Sequence, residues 1–262
     1  MKKKTPRGPE AFNGHYGTIY GNRWNRLKEA LLEEPVYAEI GLPLLKPYFI
    51  DEASTLPVEA LNIQPGLSVL DLCAAPGGKS LLCAVATGPL GSLIANDRSS
   101  ARRGRLKTVI AQHLPENYRS AVKITGHDSR RWCLYEESLY DRVLLDAPCS
   151  SERHVVQSPP ALAEWSPARP KHLARQAFSM LASALRVVKP GGILVYSTCS
   201  LEPLENDDTV AKLIKRYPEM VEIMPVHAPW GDKTKYGWIV LPDVAEGRGP
   251  IFFAKIRRRN EQ

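Results

Sequence analysis

Apolar and polar positions along this chain follow two alternating periods, and this alternation predicts an α/β fold. Short apolar runs bounded by turn residues are typical of buried parallel strands, and segments with apolar residues every three or four positions are typical of amphipathic helices. The predicted strands of the alternating part are Leu67–Leu72, Ser92–Asn96, Ala121–Thr125, Asp141–Asp146 and Ile193–Ser197. The predicted helices are Tyr20–Glu34, Ser99–His113, Leu173–Val188 and Leu204–Tyr217.

The last part of the chain breaks this alternation. The runs Met220–Met224, Tyr236–Leu241 and Ile251–Ile256 read as closing strands that include an antiparallel pair, and Lys189–Gly192 reads as a helix cap and turn. Strict βα alternation produces a doubly wound sheet. We therefore predict a doubly wound, Rossmann-like α/β fold with a mostly parallel sheet and an antiparallel closing hairpin.

The beginning of the chain reads as an appendage to this fold. Residues 1–17 are basic and rich in Gly and Pro, which predicts a mobile arm before the first helix. We divide the chain into a basic N-terminal arm and helix, residues 1–47, and a catalytic domain, residues 48–262. Gly8, Pro9 and Glu10 follow the basic start where a secretory signal needs an apolar core. No run approaches the ~20 apolar residues of a membrane span, so no membrane partner is expected.

One connection in the predicted domain is unusually long. More than twenty residues with four prolines separate Cys149 from the helix predicted at Leu173. Loops longer than ~12–15 residues in compact domains are usually lids or binding loops, although surface insertions are also tolerated. We predict a substrate loop, which carries Arg153, His154, Trp165, Arg169, Lys171 and His172.

Charge and cysteine content narrow the functional class. The net charge of +7 favours a polyanionic partner. The five cysteines are an odd number without a CxxC pair or histidines at zinc-ligand spacing, which argues against a disulfide framework and a structural zinc site. We expect no metal and a reducing compartment, the cytoplasm, with the mitochondrial matrix as the alternative.

The segment Asp71–Lys79 predicts a cofactor turn between the first strand and its helix. Gly77 and Gly78 permit a tight turn and a close approach of ligand to backbone. The segment matches neither the G-x-G-x-x-G dinucleotide fingerprint nor the phosphate-binding P-loop, whose first glycine is missing. The predicted ligand is therefore a nucleoside without phosphates.

Two aspartates extend this predicted site. Asp97 ends the second strand at the spacing of a residue that binds a ribose diol, although it is also placed to cap a helix. Asp128 follows the third strand and is placed to accept from an adenine amino group, although a plain turn aspartate is the alternative. Together with the turn, these residues indicate S-adenosylmethionine.

Two cysteines follow two successive predicted strands, in Asp146–Cys149 and Ser197–Ser200. Parallel strands place their carboxyl ends at one crevice, so both thiols should meet the cofactor there. A thiolate that adds to C6 of a pyrimidine makes C5 nucleophilic toward a methyl group, provided that a cation or helix dipole activates the thiol. Lys79 and the first helix N-terminus are the candidate activators, whereas Cys83 and Cys133 read as small buried apolar residues.

The turn after the fourth strand separates carbon from amino methylation. Enzymes that methylate amino groups of bases typically carry an Asp/Asn-Pro-Pro-aromatic turn. Here Asp146-Ala147-Pro148-Cys149 has a thiol in place of the aromatic residue. This substitution favours carbon methylation.

The three motifs Asp71–Lys79, Asp146–Cys149 and Ser197–Ser200 resemble those of the Sun-domain (RsmB-type) RNA cytosine-5 methyltransferases, over about Tyr48 to Ile256. The resemblance implies an S-adenosylmethionine-dependent methyltransferase fold, with Cys199 as the nucleophile on C6, Cys149 assisting product release and Asp146 on the base edge. Spacing alone leaves open which thiol attacks. The implied cofactor-binding residues are Cys73, Ala74, Ala75, Pro76, Gly77, Gly78, Lys79, Asp97, Arg102, Asp128, Ser129 and Asp146.

Some positions depart from the usual family pattern. Many members continue Pro-Cys-Ser-Gly, where this chain has Ser151, and the usual Gln near position 50 is Ile50. The segments 52–57 and 148–154 are similar to the mitochondrial branch, whose members modify ribosomal or transfer RNA. Because no separate RNA-recognition domain is evident, a protein partner or an assembling ribosomal subunit is expected to help select the RNA.

We therefore predict a monomeric RNA cytosine-5 methyltransferase that acts on ribosomal RNA. Transfer RNA is the alternative substrate, and a non-catalytic RNA-binding ribosome assembly factor or a methyltransferase acting on a protein or small molecule are the alternative functions. Candidate phosphate contacts are Arg98, Arg102, Arg103, Arg105, Lys107 and Arg257–Arg259, and candidate base-stacking residues are Trp132, Trp165 and Trp230, each of which is also a packing candidate.

Overall fold

A computed structural model describes residues 6–260, so the lysines at positions 2–4 of the predicted arm lie outside the described residues. Its helices are α1 Gly8–Tyr20, α2 Trp24–Ala30, α3 Leu56–Ala60, α4 Gly78–Thr87, α5 Ser100–His113, α6 Glu116–Arg119, α7 Glu152–Gln157, α8 Pro159–Glu164, α9 Ala168–Val187 and α10 Asp207–Arg216. Its strands are β1 Tyr37–Ile40, β2 Tyr48–Asp51, β3 Ser68–Asp71, β4 Ser92–Asn96, β5 Val122–Thr125, β6 Tyr140–Asp146, β7 Val188–Thr198, β8 Val221–Met224, β9 Gly231–Lys233, β10 Trp238–Val240 and β11 Ile251–Arg258. Short 3₁₀ helices occupy Gly21–Arg23, Glu52–Thr55 and Ser129–Leu134.

Nine strands of the described chain form one twisted sheet in the order β5-β4-β3-β6-β7-β11-β10-β9, with β8 also paired to β11. The five strands from β5 to β7 run parallel, and β11 and its neighbours are antiparallel. The predicted fold class, with a mostly parallel core and antiparallel closing strands, is confirmed. The order reverses at β3, which is where ligands bind in open α/β sheets.

The central strands are apolar on both sides because helices cover both faces of the sheet. Along β3, Val69 packs into the core on one face and Leu70 into the core on the other. Each of these side chains is fully buried, and burial of a Val or Leu stabilises the fold by roughly 1.5–3 kcal/mol. The crevice at the strand ends therefore rests on a rigid base.

The N-terminal segment is a helix where the sequence predicted an arm. For residues 8–17 that prediction is wrong, because Phe12 and Tyr16 lie four positions apart on one face of α1 and are fully buried against Trp24 and Trp165. Pro9 stands in the first turn, where proline favours a helix. The Gly and Pro content had concealed this apolar face. The division of the chain at residues 47 and 48 stays a prediction.

A small β-hairpin, which the sequence did not predict, covers the cofactor turn. The strands β1 and β2 pair antiparallel, with Ile40 opposite Tyr48 and Ala38 opposite Ile50. Tyr48 and Ile50 pack directly over Gly78 at the start of α4. The hairpin thus adds a wall to the crevice.

The long connection after Cys149 is largely helical. It folds as α7 and α8, and α9 begins at Ala168, five positions earlier than predicted. Trp165 is buried against α1, and the Arg153 guanidinium donates to the carbonyls of Glu33, Gly247 and Gly249. Prolines at the first turns of these helices had read as loop signals. The substrate role of the segment stays a prediction.

Lys189–Gly192 also differs from its predicted turn. This segment lies within β7, which is continuous from Val188 to Thr198 and carries an irregularity opposite Tyr140 and Arg142 on β6. Gly191 has a φ of +76°, so the glycines serve a bulge inside the strand. In residues 6–260, the structure contains no helix with the length and apolar character of a membrane span.

Candidate active site

Three motifs meet at the carboxyl end of the parallel sheet, as the sequence predicts. Asp71 ends β3 and Asp146 ends β6, and β6 pairs directly with β7, which ends at Thr198. Cys199 follows β7 at once, and Cys149 lies three residues beyond β6. The topology therefore brings both thiols and the glycine turn to one crevice.

The turn into α4 requires glycine at two positions. Gly77 has a φ of +131°, and a Cβ there would lie 2.9 Å from Cγ1 of Val109. A Cβ at Gly78 would lie 3.0 Å from both Tyr48 and Ile50. The bare backbone thus provides a cradle at the N-terminus of α4, where N–H groups point out of the helix.

Two cavities flank Cys73 at this turn. One has a volume of about 380 Å³ and the other about 210 Å³. The larger is lined by Cys73, Asp97, Arg102, Asp128 and Ser129, and the smaller by Cys73, Ala74, Ala75, Pro76, Gly78, Lys79 and Asp146. All the predicted cofactor residues except Gly77 line these cavities, and Gly77 shapes the turn between them.

Asp97 lines the larger cavity, while Ser99 caps α5, and the ribose-binding role of Asp97 stays a prediction. The Oδ1 of Asp97 accepts from the Ser99 N–H at 2.9 Å. Arg102 lies 3.4 Å from Asp97 Oδ2 and donates to the carbonyl of Ala75 at 2.5 Å. Arg102 therefore braces the cofactor turn against the start of α5.

Asp128 lines the same cavity, and its carboxylate is held by Arg130 at 2.6 Å. Hydrogen bonds from Arg130 lower the pKa of Asp128 to about 2. Asp128 also caps the 3₁₀ helix at Ser129–Leu134, which is its alternative turn role. The hydroxyl of neighbouring Ser129 donates to the Leu72 carbonyl and so ties this loop to the end of β3.

Asp146 is the polar centre of the smaller cavity. Its Oδ2 accepts from Lys79 Nζ and its Oδ1 from the Ser197 hydroxyl, each at 2.8 Å. Burial by itself lowers the pKa of Lys79, but the charge and hydrogen bond of Asp146, together with the charges of Cys199 and Asp71, outweigh burial and the pKa is raised. Lys79 therefore stays an ammonium, paired with Asp146 at one wall of the crevice.

The two candidate catalytic thiols are in contact. Cys149 Sγ and Cys199 Sγ lie 3.0 Å apart, and the Ser151 hydroxyl lies 3.2 Å from Cys199 Sγ. Hydrogen bonds from Cys149 and then Ser151 lower the pKa of Cys199, although burial opposes them. The hydrogen bond with Cys199, together with burial, raises the pKa of Cys149. This asymmetry favours Cys199 as the thiolate.

Behind the thiols lies a buried carboxyl that the sequence reasoning missed. Glu205 accepts from the N–H of Ser150 at 3.0 Å and from its hydroxyl, and lies 3.1 Å from the Ser200 hydroxyl. Ser150 and Ser200 are the residues that follow the two cysteines. Burial raises the pKa of Glu205 to about 8, so at neutral pH this carboxyl is largely protonated and bridges both loops. The sequence signal that could have identified Glu205 is its position six residues after Cys199.

The sequence motifs do not identify every residue of the site, and some residues predicted to contact RNA are buried or engaged within the protein. Ser151, Ser197 and Tyr48 contribute to the site without a motif of their own. Conversely, Arg258 is buried and donates to the carbonyls of Arg186 and Val188, so its predicted role as a phosphate contact is wrong. Other side chains that were candidates for RNA contact make contacts within the protein. Trp132 and Trp165 are buried, and Trp230 lies under the Arg248 guanidinium. Arg103 donates to the Asp97 and Arg98 carbonyls.

A family model described as 16S rRNA methyltransferase RsmB/F matches residues 58–257. The chain is 36% identical over 239 residues to 5-cytosine rRNA methyltransferase NSUN4 of Bos taurus, covering 84% of this chain and 62% of that protein. It is 34% identical over 224 residues to the mitochondrial tRNA (cytosine(34)-C(5))-methyltransferase of Danio rerio, covering 80% and 60%. The chain thus spans about three fifths of the length of these curated relatives.

Solved structures agree on the fold. A methyltransferase homologue from Pyrococcus horikoshii superposes with a TM-score of 0.74 at 24% identity, covering 95% of each chain. The structure of NSun6 from Pyrococcus horikoshii with SFG gives a TM-score of 0.70 at 24% identity, covering 82% of this chain and 54% of that one. These likenesses establish the architecture, and the chemistry has to be argued from the crevice.

Proposed function

Because the chain belongs to the 16S rRNA methyltransferase RsmB/F family, we propose that it methylates C5 of a cytosine in RNA. The observation that carries this proposal is the pair of thiols in contact beside the Lys79–Asp146 ion pair. Methylation of an amino group has no use for a nucleophilic thiol, whereas C5 of cytosine needs one. Both thiols and the glycine turn are intact, which a non-catalytic assembly factor would not require.

The proposed cofactor is S-adenosylmethionine. The cradle at Gly77–Gly78 and the cavity beside Asp97 and Asp128 fit a nucleoside with an amino-acid tail, because they offer backbone N–H groups and carboxylates without a phosphate clamp. Asp97 would hold the ribose and the turn Cys73–Lys79 the tail. When bound, this cofactor supplies an electrophilic methyl group.

The residues of the crevice divide the remaining work. The Cys199 thiolate forms a bond to C6 of the cytosine and pushes an electron pair toward C5, which becomes nucleophilic. Asp146, oriented by Lys79 and Ser197, accepts hydrogen bonds from the N4 side of the base. After C5 carries its methyl group, a base removes the C5 proton, the electron pair returns to the ring, and the bond between C6 and sulfur breaks. We assign assistance in this release to Cys149.

Single cysteine variants test the assignment. Cys199→Ala should abolish methyl transfer, whereas Cys149→Ala should accumulate a covalent protein–RNA adduct that survives denaturing electrophoresis. Cys133→Ala is the matched control, because Cys133 is half-buried away from the crevice and should leave both readouts unchanged. Exchanged phenotypes of the two crevice variants would reverse the roles of the thiols.

Ribosomal RNA is the proposed substrate, with transfer RNA as the competing one, since relatives named for each are similar to this chain. Bisulfite sequencing of total RNA from cells with and without the protein decides between them. A single ribosomal cytosine that loses its mark supports the proposal, and a transfer RNA cytosine that does so replaces it. Loss of no mark in either RNA contradicts RNA methylation.

Compartment and partners are part of the same proposal. The mitochondrial relative from Danio rerio supports a mitochondrial location, the alternative, and the cytoplasmic expectation stays a prediction. In either compartment the proposed mechanism requires reduced thiols, and all five cysteines are free in the structure. Monomeric state and selection of the RNA by a partner protein or an assembling subunit stay proposals.

A further inference from the structure

Ser151 is held in a backbone conformation that side chains rarely adopt. Its φ is +53° and its ψ is +60°, in the left-handed region that favours glycine. A non-glycine residue in a strained conformation of this kind is energetically unfavourable, and such residues cluster at functional sites. The cost calls for a reason at this position.

The neighbours of Ser151 leave its backbone no alternative. Glu205 holds Ser150 on one side through its N–H and hydroxyl. On the other side α7 begins, and the Val155 N–H donates to the Ser151 carbonyl at 3.1 Å. The segment between Cys149 and α7 is therefore fixed at both ends, which is the condition under which strain persists.

The hydroxyl of Ser151 does not cap α7, although Ser151 occupies the N-cap position of that helix. Ser151 is the residue before the first turn of α7, where serine normally caps the helix, but its side chain makes no cap hydrogen bond. Its Oγ lies 3.2 Å from Cys199 Sγ, compared with 3.6 Å from Cys149 Sγ and 3.4 Å from the Cys149 carbonyl. Because sulfur is larger than oxygen, the contact with Cys199 is the tightest of the three.

We propose that Ser151 is a further catalytic residue, whose hydroxyl donates a hydrogen bond to the Cys199 sulfur and stabilises it as the thiolate that attacks the base. The inference rests on the proposed function for its role in methylation. In the left-handed backbone, at the position where many family members have glycine, the hydroxyl of Ser151 lies against the sulfur and makes no helix-cap hydrogen bond.

The charges around Cys199 explain why such a donor is needed. Burial and the charges of Asp146 and Glu152 oppose a negative charge on the Cys199 sulfur. Cys149 donates a hydrogen bond to the Cys199 sulfur. Lys79 interacts electrostatically with Cys199, but its ammonium group is already paired with Asp146. Ser151 is a neutral donor that supports the thiolate without a second cation.

Alkylation of Cys199 by iodoacetamide tests this without RNA or cofactor. The thiolate displaces iodide and forms a carbon–sulfur bond, so the rate follows the thiolate fraction. With Ser151→Ala and Ser151→Gly, we expect the rate at pH 7 to fall about tenfold, because a hydrogen bond to a charged group is stronger than one between neutral groups. At about pH 10 the rates should converge with the wild-type rate, since the thiol ionises there without help.

Two controls separate activation from folding. Ser151→Gly relieves the strained φ, so it should be at least as stable to heat as the wild type while its Cys199 reacts slowly. Asn62→Gly relieves a similar φ of +50° at an exposed position and should leave the Cys199 rate unchanged. Alkylation of Cys133 in each protein, followed by mass spectrometry of the peptides, provides an internal reference.

A wild-type rate at pH 7 in both Ser151 variants would overturn the proposal, as would an equal slowing in Asn62→Gly. Methylation assays then add the catalytic readout: kcat of Ser151→Gly should fall about tenfold with an unchanged KM for RNA. If the wild type methylates no RNA while the alkylation pattern holds, the proposed function fails and thiol activation by Ser151 stands.

Discussion

Asp71 is a buried residue whose ionisation opposes folding. It ends β3 with 1% of its surface exposed, and its Oδ2 accepts from the Ser80 hydroxyl at 2.7 Å. Burial raises the pKa of Asp71 to about 7, and the charge of nearby Asp146 adds to the effect. The neutral form is therefore stabilised in the folded protein, since the unfolded chain releases the proton near pH 4.

We expect Asp71→Asn to stabilise the protein by an amount that depends on pH. A raised pKa in the folded state means that the contribution of Asp71 is favourable below about pH 4 and is lost as the pH rises through about 7. The free energy of unfolding of the variant should exceed that of the wild type by a few kcal/mol above pH 7, with a difference that shrinks toward pH 4. Urea denaturation of the cofactor-free protein across this range measures it.

Asp141→Asn is the control of opposite sign. Hydrogen bonds from Lys189 and Ser68 outweigh partial burial and lower the pKa of Asp141 to about 2. The wild-type advantage at this position should be present above about pH 4 and disappear as the pH falls through about 2. A pH-independent effect of both substitutions would contradict these assignments.

At the scale of elements, α1 belongs to the wall behind the catalytic loops. Its aromatic face packs with Trp165 and Leu201, and the Tyr16 hydroxyl donates to Glu152 at 2.5 Å. Glu152 in turn accepts from the Leu201 N–H at 2.9 Å, next to the loop of Cys199. The helix therefore supports the site through both packing and hydrogen bonds.

Phe12→Ala should lower the free energy of unfolding by about 3–5 kcal/mol, because Phe12 is fully buried in this aromatic cluster and its removal leaves a cavity. Phe49→Ala is the matched control, since 59% of the Phe49 surface is exposed and its loss should cost less than about 1 kcal/mol. Chemical denaturation followed by intrinsic fluorescence compares the two. Equal losses would indicate that α1 packs less firmly than the structure shows.

The sequence predicted β3 to β6 within one residue at each end, because each is a continuous apolar run between turn signals, whereas β7 begins five residues before its predicted start. It did not predict α1 or the hairpin of β1 and β2. In α1 the apolar residues lie among Gly and Pro residues, and β2 of the hairpin packs over the start of α4. Tertiary contacts of this kind leave little trace in local periodicity.

The candidate site divides in the same way. Motif residues such as Asp146 and Cys199 could be predicted because strand ends in such sheets converge whatever the sequence between them. Ser151 and Glu205 could not, since their contribution depends on a backbone conformation and on a proton that three-dimensional burial decides. Arg258 illustrates the opposite error: the sequence predicted an exposed cation, but the side chain is buried in the fold.

For the whole molecule, the positive charge is spread over a surface of which only part is available to RNA. Arg102 and Arg103 are committed to the Ala75 and Asp97 carbonyls, whereas Arg105 and Lys107 project from the exposed side of α5. Further exposed cations on the same chain are Arg98, Arg169, Lys171 and Arg259. We expect these six side chains to provide most of the phosphate contacts.

RNA binding should depend steeply on salt. If about six or more phosphates are neutralised, an increase from about 50 to 200 mM salt should weaken binding by about 10³-fold or more. Filter binding of a ribosomal RNA fragment measures how steeply the logarithm of the binding constant falls with the logarithm of the salt concentration. Arg105→Ala should reduce this slope by the equivalent of about one phosphate contact, whereas Arg258→Ala should act through protein stability alone. A flat salt response would exclude the basic surface as the binding site.

The link between the two ends of the chain has a consequence for biosynthesis. Arg23, directly after α1, pairs with Asp243, which lies 220 positions later. At roughly 5–20 residues per second, a ribosome needs about 10–40 s to make the intervening segment. For much of that interval the aromatic face of α1 on the nascent polypeptide lacks Trp165 and Leu201, which complete its cover in the folded protein. We therefore expect production of this protein to depend on chaperones that bind nascent chains.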